Sequence, residues 1–266
     1  MNQLANQHAS TVGKTIPAQI LTEARRDTLW QEPELVWNYL TGVRGAIPLA
    51  NEQLDVMMRL LAARQQPVRS FLDLGCGDAV LAAAILARYP QARGLLLDFS
   101  EPMLRAARQR LGERLGQLEF KQVDYADTQW AACTTGFAPF DAIVSGFSIH
   151  HQPDPRKREL YAEAFSLLSP GGWFVNIEHV ASPTPWLESI HDELFVDAMY
   201  ALSGREKHGK TREQVAANYH GRADKAANLL APVEHQCEWL REIGYQDVDC
   251  YLKIFELAVF GGRRPE

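Results

Sequence analysis

Apolar positions along this chain change their spacing in a way that lays out its elements. From Ser70 the run Phe71-Leu72-Asp73-Leu74 has the length and composition of a buried strand, and it breaks at Gly75-Cys76-Gly77. Helical spacing follows from Asp78 to Tyr89, and then a second apolar run, Gly94 to Asp98. Ser100-Glu101-Pro102 opens another helix: Ser100 supplies an N-cap, and Pro102 sits in a first turn whose N–H groups are unpaired anyway. Further strands are predicted over Leu118 to Val123, Phe140 to Ser145 and Trp173 to Ile177. A helix is predicted from Asp154 to Leu168, stopped by Ser169-Pro170-Gly171-Gly172. Strands alternating with helices predict a doubly wound α/β sheet of parallel strands.

The flanks follow other patterns. Met1 to Thr15 is polar without periodicity and is expected to stay mobile; Pro17 to Tyr39 reads as helices interrupted at Pro33. In Asn51 to Arg64, Leu54, Met57, Met58 and Leu61 recur at helical spacing, the signature of a helix that buttresses the sheet. Ala181 to Pro232 breaks the alternation with helical, polar and aromatic sequence, and an insertion of that length at a sheet edge is usually functional. Val233 to Ile243 predicts a last helix capped by Gly244. Gln246 to Lys253 and Ile254 to Phe260 predict two closing strands, with Gly261 to Arg264 as a tail. The organisation read from these shifts is a helical extension over 1–66, a core over 67–180, a helical cover over 181–232 and a closing segment over 233–266.

Gly75 and Gly77 can take backbone angles closed to other residues and let a ligand approach the main chain, next to a helix start with unpaired N–H groups. Asp73 is an ionisable group at the end of an apolar strand, costly there unless it holds a donor. Asp98, about twenty residues beyond the turn, stands where acidic residues of doubly wound folds grip ribose hydroxyls. Two carboxylates and a bare turn suit a nucleoside with free hydroxyls and a cationic tail.

With Val123-Asp124, Phe140-Asp141-Ala142-Ile143-Val144-Ser145 and Leu168-Ser169-Pro170-Gly171-Gly172-Trp173-Phe174 in the expected order, Leu72-Asp73-Leu74-Gly75-Cys76-Gly77 resembles the class I S-adenosylmethionine-dependent methyltransferases of small molecules. The resemblance runs from about Arg69 to the C-terminus. It implies a Rossmann-like sheet of seven strands, mostly parallel with an antiparallel C-terminal strand, plus the helical extension and insertion. It also implies S-adenosyl-L-methionine as cofactor, with Asp124 on the adenine and Tyr125 against it. The cofactor set expected on this reading is Asp73, Gly75, Cys76, Gly77, Asp98, Phe99, Met103, Asp124, Tyr125, Ser145 and Gly146. Related enzymes often close the segment before the first strand over the cofactor, which makes Trp30, Trp37 and Tyr39, together with Phe147, candidates to contact the acceptor. Methyl transfer is an in-line displacement that needs alignment more than acid–base chemistry. His150 and His151, just past the Phe140 strand, are the candidates to orient the acceptor or take its proton.

The remaining composition narrows this reading. A net charge of −6 gives no global attraction for nucleic acid or an anionic membrane, and no apolar run is long enough to span a bilayer. Cys76, Cys133, Cys237 and Cys250 are scattered, so reduced thiols and a cytoplasmic location are expected. The partner expected is a small-molecule methyl acceptor, with a homodimer left open. His150, His151, His179 and His191, with Glu178, lack the short spacings of zinc sites, and no metal is expected. Arg205, Lys207, Lys210, Arg212, Arg222 and Lys225 form a basic cluster in the insertion, read as either an attractor of acidic substrate or RNA or a solvated surface. Glu234 to Tyr245 is also similar to the terminal helix of the bacterial wobble-uridine enzyme that makes carboxy-S-adenosylmethionine. A nucleotide-modifying enzyme is therefore one alternative, and a non-catalytic cofactor-binding protein another. The absence of a third glycine after Gly77 disfavours an NAD enzyme.

Overall fold

The structure, a computed structural model, describes residues 25–64, 66–205 and 209–266. The polar N-terminal stretch, Ile20 to Ala24 of the first predicted helix, and Lys207 and His208 of the basic cluster lie outside the described residues. A short 3₁₀ turn at Asp27–Gln31 leads into α1 (Pro33–Thr41). The helical segments break at Glu32, next to Pro33 as expected, and Pro33 starts the second of them. It occupies the first turn, where its missing N–H costs nothing. Then come α2 (Ala50–Ala62), β1 (Ser70–Leu74), α3 (Val80–Arg88), β2 (Arg93–Asp98), α4 (Glu101–Leu111), β3 (Leu118–Gln122), β4 (Phe140–Gly146), α5 (Asp154–Leu167) and β5 (Leu168–His179). The insertion folds as α6 (Pro185–Arg205) and α7 (Arg212–His220), and the chain closes with α8 (Val233–Ile243), β6 (Gln246–Ile254) and β7 (Leu257–Arg263).

The seven strands form one sheet in the order β3-β2-β1-β4-β5-β7-β6, in which β7 runs antiparallel to both neighbours and the other pairings are parallel. Period-two alternation sends successive side chains to opposite faces, and both faces are apolar because both are covered. Phe71 and Leu96 join Met57, Leu61, Ile85 and Leu104 on the side of α2, α3 and α4. Leu72, Leu74, Leu95 and Leu97 join Leu160, Tyr161 and Leu240 on the side of α5 and α8. A smaller cluster, Ile47, Phe195, Val196, Val215, Tyr219 and Leu257, seats α6 and α7 over one end of the sheet. No helix among the described residues is long and apolar enough to cross a membrane.

Three element boundaries differ from the sequence reading, each for a local reason. The helix after the glycine turn starts at Val80 rather than Asp78, because Ala79 is left-handed (φ 61°) and Gly75 and Gly77 are also at positive φ. The break at Ser169-Pro170-Gly171-Gly172 lies inside β5, accommodated by a register irregularity against β4. Gly261 and Gly262 belong to β7 instead of a tail: a Cβ on Gly261 would stand 2.1 Å from the Phe174 carbonyl oxygen, so the close strand approach requires glycine there.

Candidate active site

The chain runs from β1 outward through β2 and β3, then returns to lay β4 on the other side of β1. That reversal opens a crevice beyond the carboxyl ends of β1 and β4, where open α/β sheets bind ligands. A cavity lies there, walled by the glycine turn, the ends of β2, β4 and β5, the segment before α2, and the insertion. Of the expected site residues, Asp73, Gly75, Cys76, Gly77, Asp98, Phe99, Met103, Gly146, Phe147, Trp30, Tyr39, His150 and His151 all line it.

Asp73 is fully buried on the α3 side of β1. Its Oδ2 accepts from the Ala82 N–H at 3.2 Å, while Oδ1 has no partner. Burial pushes its pKa up to about 8; the nearby Asp98 and Asp78 charges add to the shift and the Ala82 N–H opposes it. Asp98 is also buried, and its two oxygens accept from the Gly77 and Ser100 N–H groups at 2.8 Å each. Burial lifts it to about 6 against those hydrogen bonds. One carboxylate thus fixes both the glycine turn and the start of α4, where Ser100 Oγ accepts from the Met103 N–H at 3.3 Å. Burial also pushes the Cys76 thiol well up, so it is a wall residue rather than a nucleophile.

Gly77 faces open space, as expected for a residue that leaves room for a ligand. Gly75 has a different reason to be glycine: a Cβ there would lie 1.8 Å from Ser148 Oγ. The Ser148 hydroxyl in turn meets the Tyr125 hydroxyl at 2.5 Å. Tyr125 is consequently a buried strut behind the turn and does not line the cavity. Asp124 is also outside the wall. Its carboxylate is held by the Arg25 guanidinium and by the Ala126 N–H at 2.9 Å, so the adenine role expected for it is not carried forward. Ser145 donates to the Leu74 carbonyl at 2.7 Å and ties β4 to β1, away from the cavity. Trp37 is 67% exposed on the outer face of α1, whereas Trp30 and Tyr39 meet edge to face at 5.1 Å in the wall.

Opposite the glycine turn, four histidines converge. His150 sits in a 3₁₀ turn at Ile149–His151, and one buried carboxylate, Glu178, accepts from both its backbone N–H (3.0 Å) and its Nδ1 (2.6 Å). A carboxylate can only accept, so Nδ1 carries the proton and Nε2 is the nitrogen left to act. Burial pushes the Glu178 carboxyl up, but the His150 contact and the His179 N–H outweigh it and hold the group below its ordinary value. The His151 ring lies 4.0 Å from that of His150, tilted by 51°, with Nδ1 on the Ala227 carbonyl at 3.1 Å. Burial, then the neighbouring His150, push its pKa well down. His179 and His191 complete the group, and burial pushes His191 down to about 4.

Several wall residues escaped the sequence reading. The sequence marks Ser100 only as an N-cap and does not assign Ser148 to the site, and Arg44 approaches Asp78 at 3.6 Å from the segment before α2. The basic cluster of the insertion divides. Arg212 is a surface residue paired with Glu193 and Asp197, whereas Arg222 and Lys225 enter the wall, paired with Asp224 and Asp192 at 2.7 and 3.2 Å.

Residues 71–172, which include the glycine turn, both buried aspartates and the His150 turn, match the family described as Methyltransferase domain. Over those residues the chain is similar to a methyltransferase domain. Among curated relatives, this domain is similar to the ubiquinone/menaquinone biosynthesis C-methyltransferase of Dinoroseobacter shibae, 32% identical over 145 residues that are 52% of each chain. It is also similar to the trans-aconitate 2-methyltransferase of Acidovorax ebreus, 36% identical over 46% of this chain and 43% of the other. The chain spans about half the length of the curated relatives it matches. The fold extends further: the structure of Haemonchus contortus phosphoethanolamine N-methyltransferase 2 in complex with S-adenosyl-L-methionine aligns with a TM-score of 0.59 over 94% of this chain and 62% of the other, at 15% identity. At that identity the likeness concerns the fold alone.

Proposed function

We propose that the methyltransferase domain transfers a methyl group from S-adenosylmethionine to a small-molecule acceptor held in the cavity. The observation that carries this reading is the buried carboxyl of Asp73, a residue of the cavity wall beside the open Gly77 turn, whose Oδ1 has no partner among the described residues. A carboxylate in that position calls for a cation, and the ammonium of the methionine moiety supplies one. Relatives named for ubiquinone/menaquinone biosynthesis and for trans-aconitate support a small-molecule acceptor.

When bound, S-adenosylmethionine would supply an electrophilic methyl carbon and a sulfur that leaves as a neutral thioether. The chain's own residues do the rest. Asp73 holds the ammonium, and Asp98, with lone pairs left after Gly77 and Ser100, accepts from the ribose hydroxyls. Met103 and Phe99 supply apolar wall. Trp30, Tyr39 and Phe147 close the cavity around the reactants and keep water out. His150 aligns the acceptor and takes its proton on Nε2, with Glu178 stabilising the imidazolium that results.

Calorimetry and isotope transfer test the reading. The protein should bind S-adenosylhomocysteine in preference to NAD, and labelled S-adenosylmethionine should pass its methyl to a component of fractionated cell metabolites. A preference for NAD would overturn it. Asp98→Ala is expected to weaken cofactor binding by roughly ten- to more than a hundredfold, the worth of a buried charged hydrogen bond of about 1.5–3 kcal/mol. Unchanged affinity would remove Asp98 from the site.

The two covering segments should also respond to ligand. These are Leu29 to Tyr39, of which Trp30 and Tyr39 line the cavity, and Trp186 to His220, of which His191, Phe195 and Tyr219 line it. Hydrogen exchange there is expected to slow when S-adenosylhomocysteine and acceptor are added together. Equal exchange with and without ligands would mean that these segments are fixed walls rather than a closing cover.

A further inference from the structure

We propose that His179, His191 and Glu256 form a binding site for a first-row divalent transition-metal ion on the acceptor side of the cavity. The three come from different elements: His179 ends β5, His191 lies on α6, and Glu256 sits in the turn between β6 and β7. Their ligand atoms all lie within 4.8 Å of one another. His179 Nε2 is 2.8 Å and His191 Nε2 3.8 Å from the same Glu256 oxygen, Oε2. Ligands at metal–nitrogen and metal–oxygen distances of about 2.0–2.2 Å stand roughly 3–3.5 Å apart, so these two separations bracket what a bound ion requires.

The decisive side chain is His191. It is 1% exposed, it lines the cavity, and among the described residues neither ring nitrogen has a hydrogen-bond partner. The His179–Glu256 hydrogen bond at 2.8 Å satisfies its own two atoms. A buried imidazole with both nitrogens idle still calls for a partner, because each gave up water on folding. A cation between His191 and Glu256 uses the lone pair that the protein leaves unused.

The surroundings hold these ligands in place. The Val180 N–H donates to the Glu256 carbonyl at 2.7 Å, pinning the β6–β7 turn to the end of β5, and His179 Nε2 lies 2.8 Å from the Glu256 carboxylate. Support of this kind around a carboxylate ligand fixes its orientation. The donor set selects the metal class. Two imidazoles and one carboxylate suit zinc, iron(II), manganese or cobalt, whereas magnesium and calcium prefer all-oxygen shells. Three protein ligands leave coordination positions free, and His179 and His191 both face the cavity. The expectation of no metal drawn from the sequence rested on short spacings, a criterion that cannot see ligands brought together from β5, α6 and a hairpin turn.

The metal site stands by itself; only its role rests on the methyl-transfer reading. In that role the ion holds an acceptor through oxygen, beside the His150 ring that packs 5.7 Å from His179. The acceptor class is then a small molecule with an anionic or chelating oxygen group.

The test uses the full-length protein without an affinity tag. Titration with Co(II) is expected to give one equivalent bound, with visible d–d bands, and Zn(II) should displace it. His191→Ala and Glu256→Gln should each weaken binding at least about a hundredfold, since even residues supporting a ligand are commonly worth ten- to a hundredfold. His235→Ala, an exposed histidine on α8, should bind Co(II) as the wild type does. X-ray absorption on the wild-type Zn(II) protein should count two imidazoles, a readout independent of how the variants fold. Acetohydroxamate, a bidentate oxygen ligand, should shift the Co(II) bands; unchanged bands would overturn the open positions. Absence of stoichiometric binding, or binding that survives both ligand substitutions, would overturn the site. Calorimetry with S-adenosylhomocysteine on the same sample separates the two readings. Binding of S-adenosylhomocysteine without metal binding sinks only the metal site, and the converse sinks only the cofactor assignment.

Discussion

Replacing His150 by Asn is expected to lower turnover by roughly a hundred- to ten-thousandfold, the usual cost of losing a general base, while affinity for S-adenosylhomocysteine stays near the wild-type value. The choice of Asn follows from the geometry. Glu178 is 1% exposed and receives two hydrogen bonds from His150, so His150→Ala leaves a buried carboxylate short of a donor and destabilises the fold. An Asn amide can still donate to Glu178 but has nothing in place of Nε2. The two neighbouring histidines separate on the same grounds. His151 has only a carbonyl as partner, and burial holds its pKa well down, so it is a weak proton acceptor. His151→Ala should chiefly raise the Michaelis constant for the acceptor. Steady-state kinetics with an identified acceptor decide the matter: a His150→Asn enzyme with wild-type turnover would reduce His150 to a wall residue.

The second large effect belongs to Asp73. Asp73→Asn keeps the shape and an acceptor for the Ala82 N–H but removes the charge, and should weaken S-adenosylmethionine binding by ten- to more than a hundredfold, about 1.5–3 kcal/mol. Stability should move in the opposite direction. In the unfolded chain this carboxyl ionises near pH 4. In the folded, ligand-free protein burial holds it protonated up to about pH 8. Between those values the native state binds more protons than the unfolded state, so stability falls as pH rises through the window. Asp98, lifted to about 6, acts in the same direction over the lower half, and the difference between wild type and Asp73→Asn isolates Asp73. The melting temperature of the cofactor-free wild type should decline from pH 5 to 8 more steeply than that of the variant, and saturating S-adenosylmethionine should reduce the gap. Parallel pH profiles for the two proteins, or unchanged cofactor affinity in the variant, would remove Asp73 from the role given to it.

Much of this architecture was legible in the order of residues. The central parallel strands and their intervening helices were visible because a strand covered on both faces must be largely apolar, as in Phe71 to Leu74 and Gly94 to Leu97. Asp73, Gly77 and Asp98 stood out because each breaks a local rule: charge in an apolar strand, or glycine between a strand and a helix. All three line the cavity. The residues misplaced by sequence are those whose side-chain direction depends on a partner elsewhere. Asp124 turns to Arg25, Tyr125 to Ser148, and Ser145 to the Leu74 carbonyl. Trp37 faces out because the apolar stripe of α1 is narrow; Val36 is the residue of that helix that is buried.

The sequence by itself determined the strands, the helices between them and the acidic turn, because burial, periodicity and backbone freedom are properties of consecutive residues. Tertiary structure alone decided the far wall of the cavity. Glu178 meets His150, and Glu256 meets His179 and approaches His191, only after β5, α6 and the β6–β7 turn have packed. Ion pairs and ligand sets form across space at distances of a few ångströms, and no spacing along the chain encodes which distant strand end will supply the partner.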